Sequence, residues 1–481
     1  MRTLSKLLPF MLLTILIVSL AACGDVETKK AKLDPNNPVQ ITFWHYYADE
    51  NRYLLEEMID DFNETVGLEK GIVVKPIAQG SIAELENAIT SSANGEMNSQ
   101  EMPNIFSSYI DKAVEMDSMG KIIDLSEYFT QEDKKNYLPA YIESSTSIDG
   151  RMLIVPVLKS TEVLYINRTD MEKFLENENL DIDMLSTWEG VEKLSEKYHT
   201  SKLLSSSANP ESANAFFGFD DLANFIIIGM KQQGVDVINA DIKGALLDKE
   251  ALGKVFDLYI GNIVNGNFYE SGRFRTDNVK TGDILSYVGS SSGASYFPAC
   301  VDACGKTKDI DLTVLPYPHF DGEDSCFVQQ GAGTAVVKSE DPLEIEASVE
   351  FLKWFTSYEQ NMRIALKSGY LPVAAKAYEE GNLAKKLDEM KSHGGKDRNT
   401  ALVFEVGIKQ MMSKKTYVSK PFYGSYEIRK TLTSTLKEIK DLALQQAKSG
   451  IEVDYDKYFD DWIADIEDHL NKSNLTYKEV N

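Results

Sequence analysis

Cysteine is scarce in this 481-residue chain and basic residues are outnumbered: there are four cysteines, and 50 Lys and Arg stand against 75 Asp and Glu, for a formal charge of −25 at pH 7. That deficit argues against nucleic acid as a partner, because the field over most of the surface repels phosphate backbones. It leaves room for a local Arg or Lys in a pocket, and so for a small anionic ligand. Past residue 23 only Cys300, Cys304 and Cys326 remain. Three thiols leave at least one unpaired, and their spacing does not choose the pairing. Cys300 and Cys304, four apart in an expected helix, have no His or second cysteine pair at zinc-finger spacing, which argues against zinc. Phosphate loops, HExxH and EF-hand patterns are missing as well, and no cofactor is expected. There is no internal repeat of about 20 to 50 residues.

Long apolar runs are confined to the N-terminus. Arg2 and Lys6 form a basic start, Leu7 to Leu20 is apolar apart from Pro9, Thr14 and Ser19, and Leu20-Ala21-Ala22-Cys23-Gly24 follows. This resembles the lipobox of bacterial lipoproteins. The resemblance implies a signal peptide over residues 1–22, cleavage before Cys23 and a diacylglyceryl group on its thiol, two acyl chains being enough for stable anchoring. Residues 23–38, with Lys29, Lys30, Pro35 and Pro38, read as a flexible tether with about 20 Å of reach.

What is present in the body is an alternation of strand and helix signals. Val39 to Trp44 and Ile72 to Ile77 read as strands, and Leu54, Leu55, Met58, Ile59 and Phe62 fall on one helical face between them. Ser81-Ile82-Ala83-Glu84 is a capping-box pattern that opens a helix to about Ser91. Such alternation predicts an α/β fold, and the length predicts two lobes. The stretch Arg151 to Arg168, RMLIVPVLKSTEVLYINR, holds two β-branched runs interrupted by Pro156 and by Lys159-Ser160-Thr161, and it reads as a strand broken between two bodies. A polar break of this kind needs partners, which a crevice between lobes supplies.

Beyond the break, Ser186-Thr187-Trp188-Glu189 predicts a second capping box, a Ser-rich loop spans Ser201 to Ser212, and Leu252 to Ile263 reads as a helix. Strands are expected at Ile284 to Val288, Asp311 to Leu315 and Ala332 to Val337, and two amphipathic helices at Tyr426 to Ala447 and Tyr455 to Leu470. Gly289-Ser290-Ser291-Ser292-Gly293 fits G-x-S-x-G between a strand and a helix, which makes Ser291 the one catalytic lead, a serine-hydrolase nucleophile. A Ser- and Gly-rich turn there is more often a ligand cradle or a cap, so the chain reads as a binder and not an enzyme. Aromatic residues beside loops, among them Trp44, Tyr46, Tyr47, Tyr109, Tyr287, Tyr423 and Tyr426, suit the C–H faces of sugar rings.

The segments ITFWHYYADE, IAQGSIAELENAI, VPVLKSTEVLYINR, STWEGVEKL, SSSGA, VLPYP, QQGAGTAV and SGYLPVAAKAYEE occur in that order. From Val39 to Leu470 the chain resembles the extracellular solute-binding proteins of ATP-driven importers, the family of maltose-type and glycerol-phosphate-type binders. The resemblance implies a type II fold of two α/β lobes, each a sheet flanked by helices, closing over a ligand. Chain crossings would fall near Lys159, Leu312 and Thr356, giving an N-terminal lobe of 39–159 plus 313–356 and a C-terminal lobe of 160–312 plus 357–481. It also implies a monomer, extracytoplasmic and lipid-anchored at Cys23, that hands its ligand to the transmembrane subunits of a permease. Ser160, Ser292, Gly331, Tyr370 and Arg429 match the binding positions of the glycerol-phosphate diester binders, Arg429 as partner for phosphate. Phe216 and Phe219 stand where that family has tryptophans. Ile82 replaces a tyrosine, and Ile110 falls where an acidic residue is expected, with Asp111 adjacent. These two departures favour a neutral mono- or oligosaccharide, with glycerol 3-phosphate or its diesters as the alternative.

Overall fold

The computed structural model describes residues 32–204, 215–303, 305–379, 381–413, 415–418 and 420–480. Cys23, Cys304, the signal peptide and most of the Ser-rich loop lie outside these residues. Among the described residues no helix is long and apolar enough to cross a membrane.

Two sheets with separate cores organise the chain. The first has the strand order Ile72–Ala78, Val39–His45, Ile105–Ser108, Gly333–Val336, Val155–Pro156. Its first three strands are parallel, with Val39 opposite Ile72 and Phe43 opposite Ile105, as strand–helix alternation requires. The helix Asp49–Glu64 buries the five apolar residues of its stripe, Leu54, Leu55, Met58, Ile59 and Phe62, against this sheet. Ser81 and Glu84 form the reciprocal capping box at the start of Ile82–Asn94. The second sheet has the order Leu312–Pro316, Glu162–Asn167, Ser286–Ser290, Phe217–Phe219. Every residue of its strand Glu162–Asn167 is buried, so that strand is covered on both faces. The helices Ser425–Lys448 and Tyr455–Lys472 pack on this second core through Ile428, Leu432, Leu436, Trp462 and Ile466.

The broken strand is where the two bodies join. Val155–Pro156 pairs in the first sheet and Glu162–Asn167 in the second, so the chain crosses over Val157 to Thr161. The second crossing is not at Leu312. Antiparallel pairing carries Leu312–Pro316 along Glu162–Asn167 as far as Pro316 opposite Val163, and the chain returns to the first sheet only at Gly333. The two crossings touch there: Ser160 and Gln330 exchange backbone hydrogen bonds of 2.8 and 2.9 Å. Nor does the chain leave the first lobe at Thr356. The next helix, Tyr358–Ser368, places Met362, Ile364 and Ala365 in the first core, and Leu383 and Leu387 follow. The later helix Gly395–Met412 straddles both cores, with Phe404 in the first and Val403 beside Val163 and Tyr165 of the second lobe.

Local expectations fail where a tertiary partner outbids a short pattern. Residues 32–38 are not a free tether: Asp34 and Asn37 close a turn, and Leu33 packs on the first core. The helix Trp188–Leu204 is capped by the Thr187 hydroxyl, which accepts from Gly190 N–H, while Glu189 accepts from Asp321 N–H instead. Cys300 lies in a hairpin strand, Cys300–Ala303 paired with Lys306–Asp309, and not in a helix. Cys300 and Cys326 are both free thiols. The helix expected at Leu252 to Ile263 has a π-helical turn, Asp257–Gly261, between α-helical pieces.

Candidate functional site

A cleft of about 290 Å³ opens between the two sheets at the paired crossings. Its floor is Lys159 with Gln329, Gln330 and Gly331, and its walls come from helix termini of both lobes. The first lobe contributes Ile82 and Glu86 from Ile82–Asn94, and Tyr109, Ile110 and Asp111 from the start of Ile110–Ser118. The second contributes Asp221 and Asn224 at the start of Leu222–Gln232, and Tyr426 and Arg429 in the first turns of Ser425–Lys448.

These second-lobe groups form one network. Arg429 donates to the Asp221 carboxylate at 2.9 Å and to Asn224 Oδ1 at 2.8 Å. Asn224 Nδ2 in turn donates to Glu162 Oε1 at 2.9 Å and to Gln330 Oε1 at 2.8 Å. Burial, and after it the charge of Asp221, pushes the Glu162 carboxyl far above its usual range. The network therefore ties Arg429 to both chain crossings. Arg429 lines the cleft and already has one partner in the protein, the Asp221 carboxylate.

Two hydrogen bonds span the cleft from lobe to lobe. Ser425 Oγ donates to Asp111 at 2.7 Å, and the Tyr426 hydroxyl donates to Glu86 at 2.9 Å. Burial raises the Glu86 carboxyl, against the stabilising Tyr426 bond. Lys159 lies at the floor, 3 % exposed, and burial alone lowers its ammonium to about 8.

Of the residues expected at the site, Gly331 and Arg429 line the cleft, and Ser160 is buried in the crossing beside it. Ser292 and Tyr370 are not among the residues that line the cleft; Gly369 lies close to the Ser292 carbonyl, and Tyr370 lies near Tyr46, Tyr47 and Tyr109. Burial above all, and then Tyr370, holds those three phenols well above their ordinary range. Phe216 and Phe219 are not in the cleft. Phe216 packs on Phe174 and Tyr198, and Phe219 on Phe225 and Trp188, inside the second core, so neither is a stacking platform. Cleft aromatics are instead Tyr109, Tyr417 and Tyr426. Ile82 and Ile110 do line the wall at the positions where the motif departs from the diester binders.

Ser291 is buried and tied to the crossing. Its buried hydroxyl accepts from Thr161 N–H at 3.3 Å, and its own N–H bonds the Thr161 carbonyl at 2.7 Å, so it fastens the 290s turn to the crossing. The sequence pattern alone does not mark Lys159, Asp221, Asn224 and Gln330 as ligand groups. The available signal was D-x-x-N at 221–224, an N-cap pattern directly after a strand.

Comparison with known proteins agrees with this architecture. Residues 57–392 match the family described as bacterial extracellular solute-binding protein. The sn-glycerol-3-phosphate-binding periplasmic protein UgpB of Rhizobium meliloti is 24% identical over 357 residues, covering 71% of this chain and 76% of the relative. The UgpB of Brucella abortus is also 24% identical, over 78% of this chain and 81% of its own length. Among solved structures, UgpB from Mycobacterium tuberculosis in complex with glycerophosphocholine superposes with a TM-score of 0.65 at 17% identity, over 91% of this chain and all of the other. The maltose/maltodextrin-binding domain MalE from Bdellovibrio bacteriovorus, bound to maltotriose, gives 0.64 at 16% identity, over 90% and 100%. With a family match across most of its length and two sheets meeting at a cleft, the chain belongs to the bacterial extracellular solute-binding proteins.

Proposed function

We propose that this protein captures a small polyol phosphate of the glycerol-phosphate kind between its lobes and delivers it to the permease of an ATP-driven importer, without chemical turnover. The observation that carries the reading is the cleft itself. At about 290 Å³ it is at the small end for ligand sites, and beside the carboxyls of Glu86, Asp111 and Asp221 its lining offers the unpaired Lys159, the Asp221-paired Arg429 and the amides of Asn224, Gln329 and Gln330. Relatives across 71% to 78% of the chain are named for sn-glycerol 3-phosphate. The burial of Phe216 and Phe219 removes the platform on which an oligosaccharide would stack. A neutral monosaccharide is the second reading, favoured by Tyr109, Tyr417 and Tyr426 on the walls.

A thermal-shift screen separates the two. Ligand at a hundredfold excess over Kd stabilises by about 2.7 kcal/mol. sn-Glycerol 3-phosphate is expected to raise the melting temperature, and glucose and maltose to leave it unchanged. The reverse pattern would discard the phosphate reading in favour of sugar.

The membrane attachment proposed is a lipid on Cys23, motivated by the Leu20-Ala21-Ala22-Cys23 pattern. Cys23→Ser is expected to move the protein from the membrane fraction to the soluble one. Continued membrane retention of the variant would rule the anchor out.

A further inference from the structure

Among the described residues Lys159 is the cleft cation without an ion-pair partner. It sits in the crossing strand Leu158–Lys159, held by backbone pairing with Leu371–Pro372, so its stem is fixed at the floor. Among the described residues its ammonium makes a single long hydrogen bond, 3.5 Å to the Gly331 carbonyl, and no ion pair. The Tyr141 ring is 5.9 Å away, at the outer limit for a cation–π contact. Arg429 differs in having the Asp221 carboxylate at 2.9 Å. Lysine is almost never buried this completely without a partner, because the ammonium loses its water and gains nothing in return. An ammonium with unmet donors at the bottom of an open cleft has its missing partner in whatever fills the cleft.

We propose that Lys159 is a ligand-binding residue that receives the negatively charged oxygen of the bound solute, and that it, more than Arg429, selects for a phosphate ester. The assignment deepens the polyol-phosphate reading and rests on it. Its cost in the free protein has a definite sign. Burial lowers the folded-state value from 10.5 to about 8, so between those limits the unfolded chain holds a proton that the folded protein has released, and stability rises with pH across that window. Below about 8 the charge is retained and the full penalty applies. A phosphate oxygen removes that penalty by pairing.

The test is calorimetry on the full-length protein with sn-glycerol 3-phosphate and with glycerophosphocholine, a diester whose phosphate keeps its single charge from about pH 6 to 10. Lys159→Gln is expected to weaken both by about ten- to a hundredfold, the range for one charged hydrogen bond, while Lys159→Arg stays within about fivefold of the wild type. Lys159→Met is expected to melt higher than the wild type without ligand. Wild-type affinity for the diester is expected to fall about tenfold from pH 7 to pH 9.5. The other titratable groups of the cleft are Tyr109, Tyr417 and Tyr426, all raised by burial, the carboxyls of Glu86, Asp111 and Asp221, and Arg429; burial also raises Glu162 and pushes Tyr141 up to about 12. Wild-type affinity for phosphate esters in a folded Lys159→Gln protein overturns the assignment and leaves the polyol-phosphate reading standing. Binding of neutral sugars alone by the wild type overturns both. If Lys159→Gln does not fold, the wild-type pH profile decides, and a flat profile to pH 10 overturns the assignment.

Discussion

Gly331→Ala is expected to destabilise the protein by about 3 to 5 kcal/mol and to abolish measurable ligand binding. Gly331 has φ +119°, a conformation L side chains rarely adopt, and a Cβ there would lie 2.5 Å from the Leu158 carbonyl oxygen and 2.8 Å from Lys159 Cα. Both neighbours are backbone, so neither swings aside. Left-handed strain of about 1 to 3 kcal/mol adds to an overpacking cost of similar size. Relief requires the two crossings to separate, which breaks the Ser160–Gln330 exchange and displaces Lys159 from the floor. Denaturant titration and calorimetry measure the two effects. A variant within about 1 kcal/mol of the wild type that still binds would mean that the paired crossings do not hold the cleft together.

Arg429→Ala is expected to lower affinity by about ten- to a hundredfold while costing less than about 1 kcal/mol of stability. The loss in affinity is that of a charged donor at a cleft contact, together with the Asp221 carboxylate it leaves uncompensated beside an anionic solute. The small stability cost follows from exposure: the Arg429 and Asp221 side chains are 30% and 41% accessible, and partly solvated ion pairs contribute little. Asp221→Asn is the useful companion, since it removes the carboxylate paired with the guanidinium and should tighten binding of an anion. If Arg429→Ala binds as the wild type does, the residue is a structural tie of the Asn224 network and no more.

Much of the fold was legible because it is written in patterns that only local physics need satisfy. The Leu54 to Phe62 stripe and the Ser81–Glu84 box both concern one helix and its immediate cover, and both appear as expected. The break at Lys159-Ser160-Thr161 was legible for the same reason, being a polar interruption of a β-branched run. The second crossing was not. Pro316 and Pro318 look like a strand stop, but nothing local says that Leu312–Pro316 pairs with Glu162–Asn167 and not with the first sheet. Phe216 and Phe219 show the limit of reading a site by motif position. Their order in the chain matches aromatic ligand residues, but the strand Phe217–Phe219 is covered on both faces, so all three rings are buried in the second core whichever way they point. Lys159 escaped notice as a ligand group because a lysine in a strand normally reaches solvent, and only the floor of the cleft shows that this one does not.

The hydrogen-bonded contact between the two crossings also limits how the molecule can move. Ser160 and Gln330 exchange a pair of backbone bonds, and Leu158–Lys159 pairs with Leu371–Pro372 next to them, so beside the straddling helix Gly395–Met412 this part of the connection is a short stitched ribbon and not two loose strings. A ribbon of this kind resists sliding along its length but yields to bending, so the motion open to the lobes is rotation about an axis through the stitch and not shear. Points on the axis hardly move and points far from it move most. A rotation about that axis would leave the mutual geometry of Lys159, Gln330 and Gly331 unchanged and would part the Tyr426–Glu86 and Ser425–Asp111 contacts. Solute meets a rigid seat first and a moving jaw second, so changes at the seat should appear in how long the solute stays, and changes at the jaw in how fast the trap shuts.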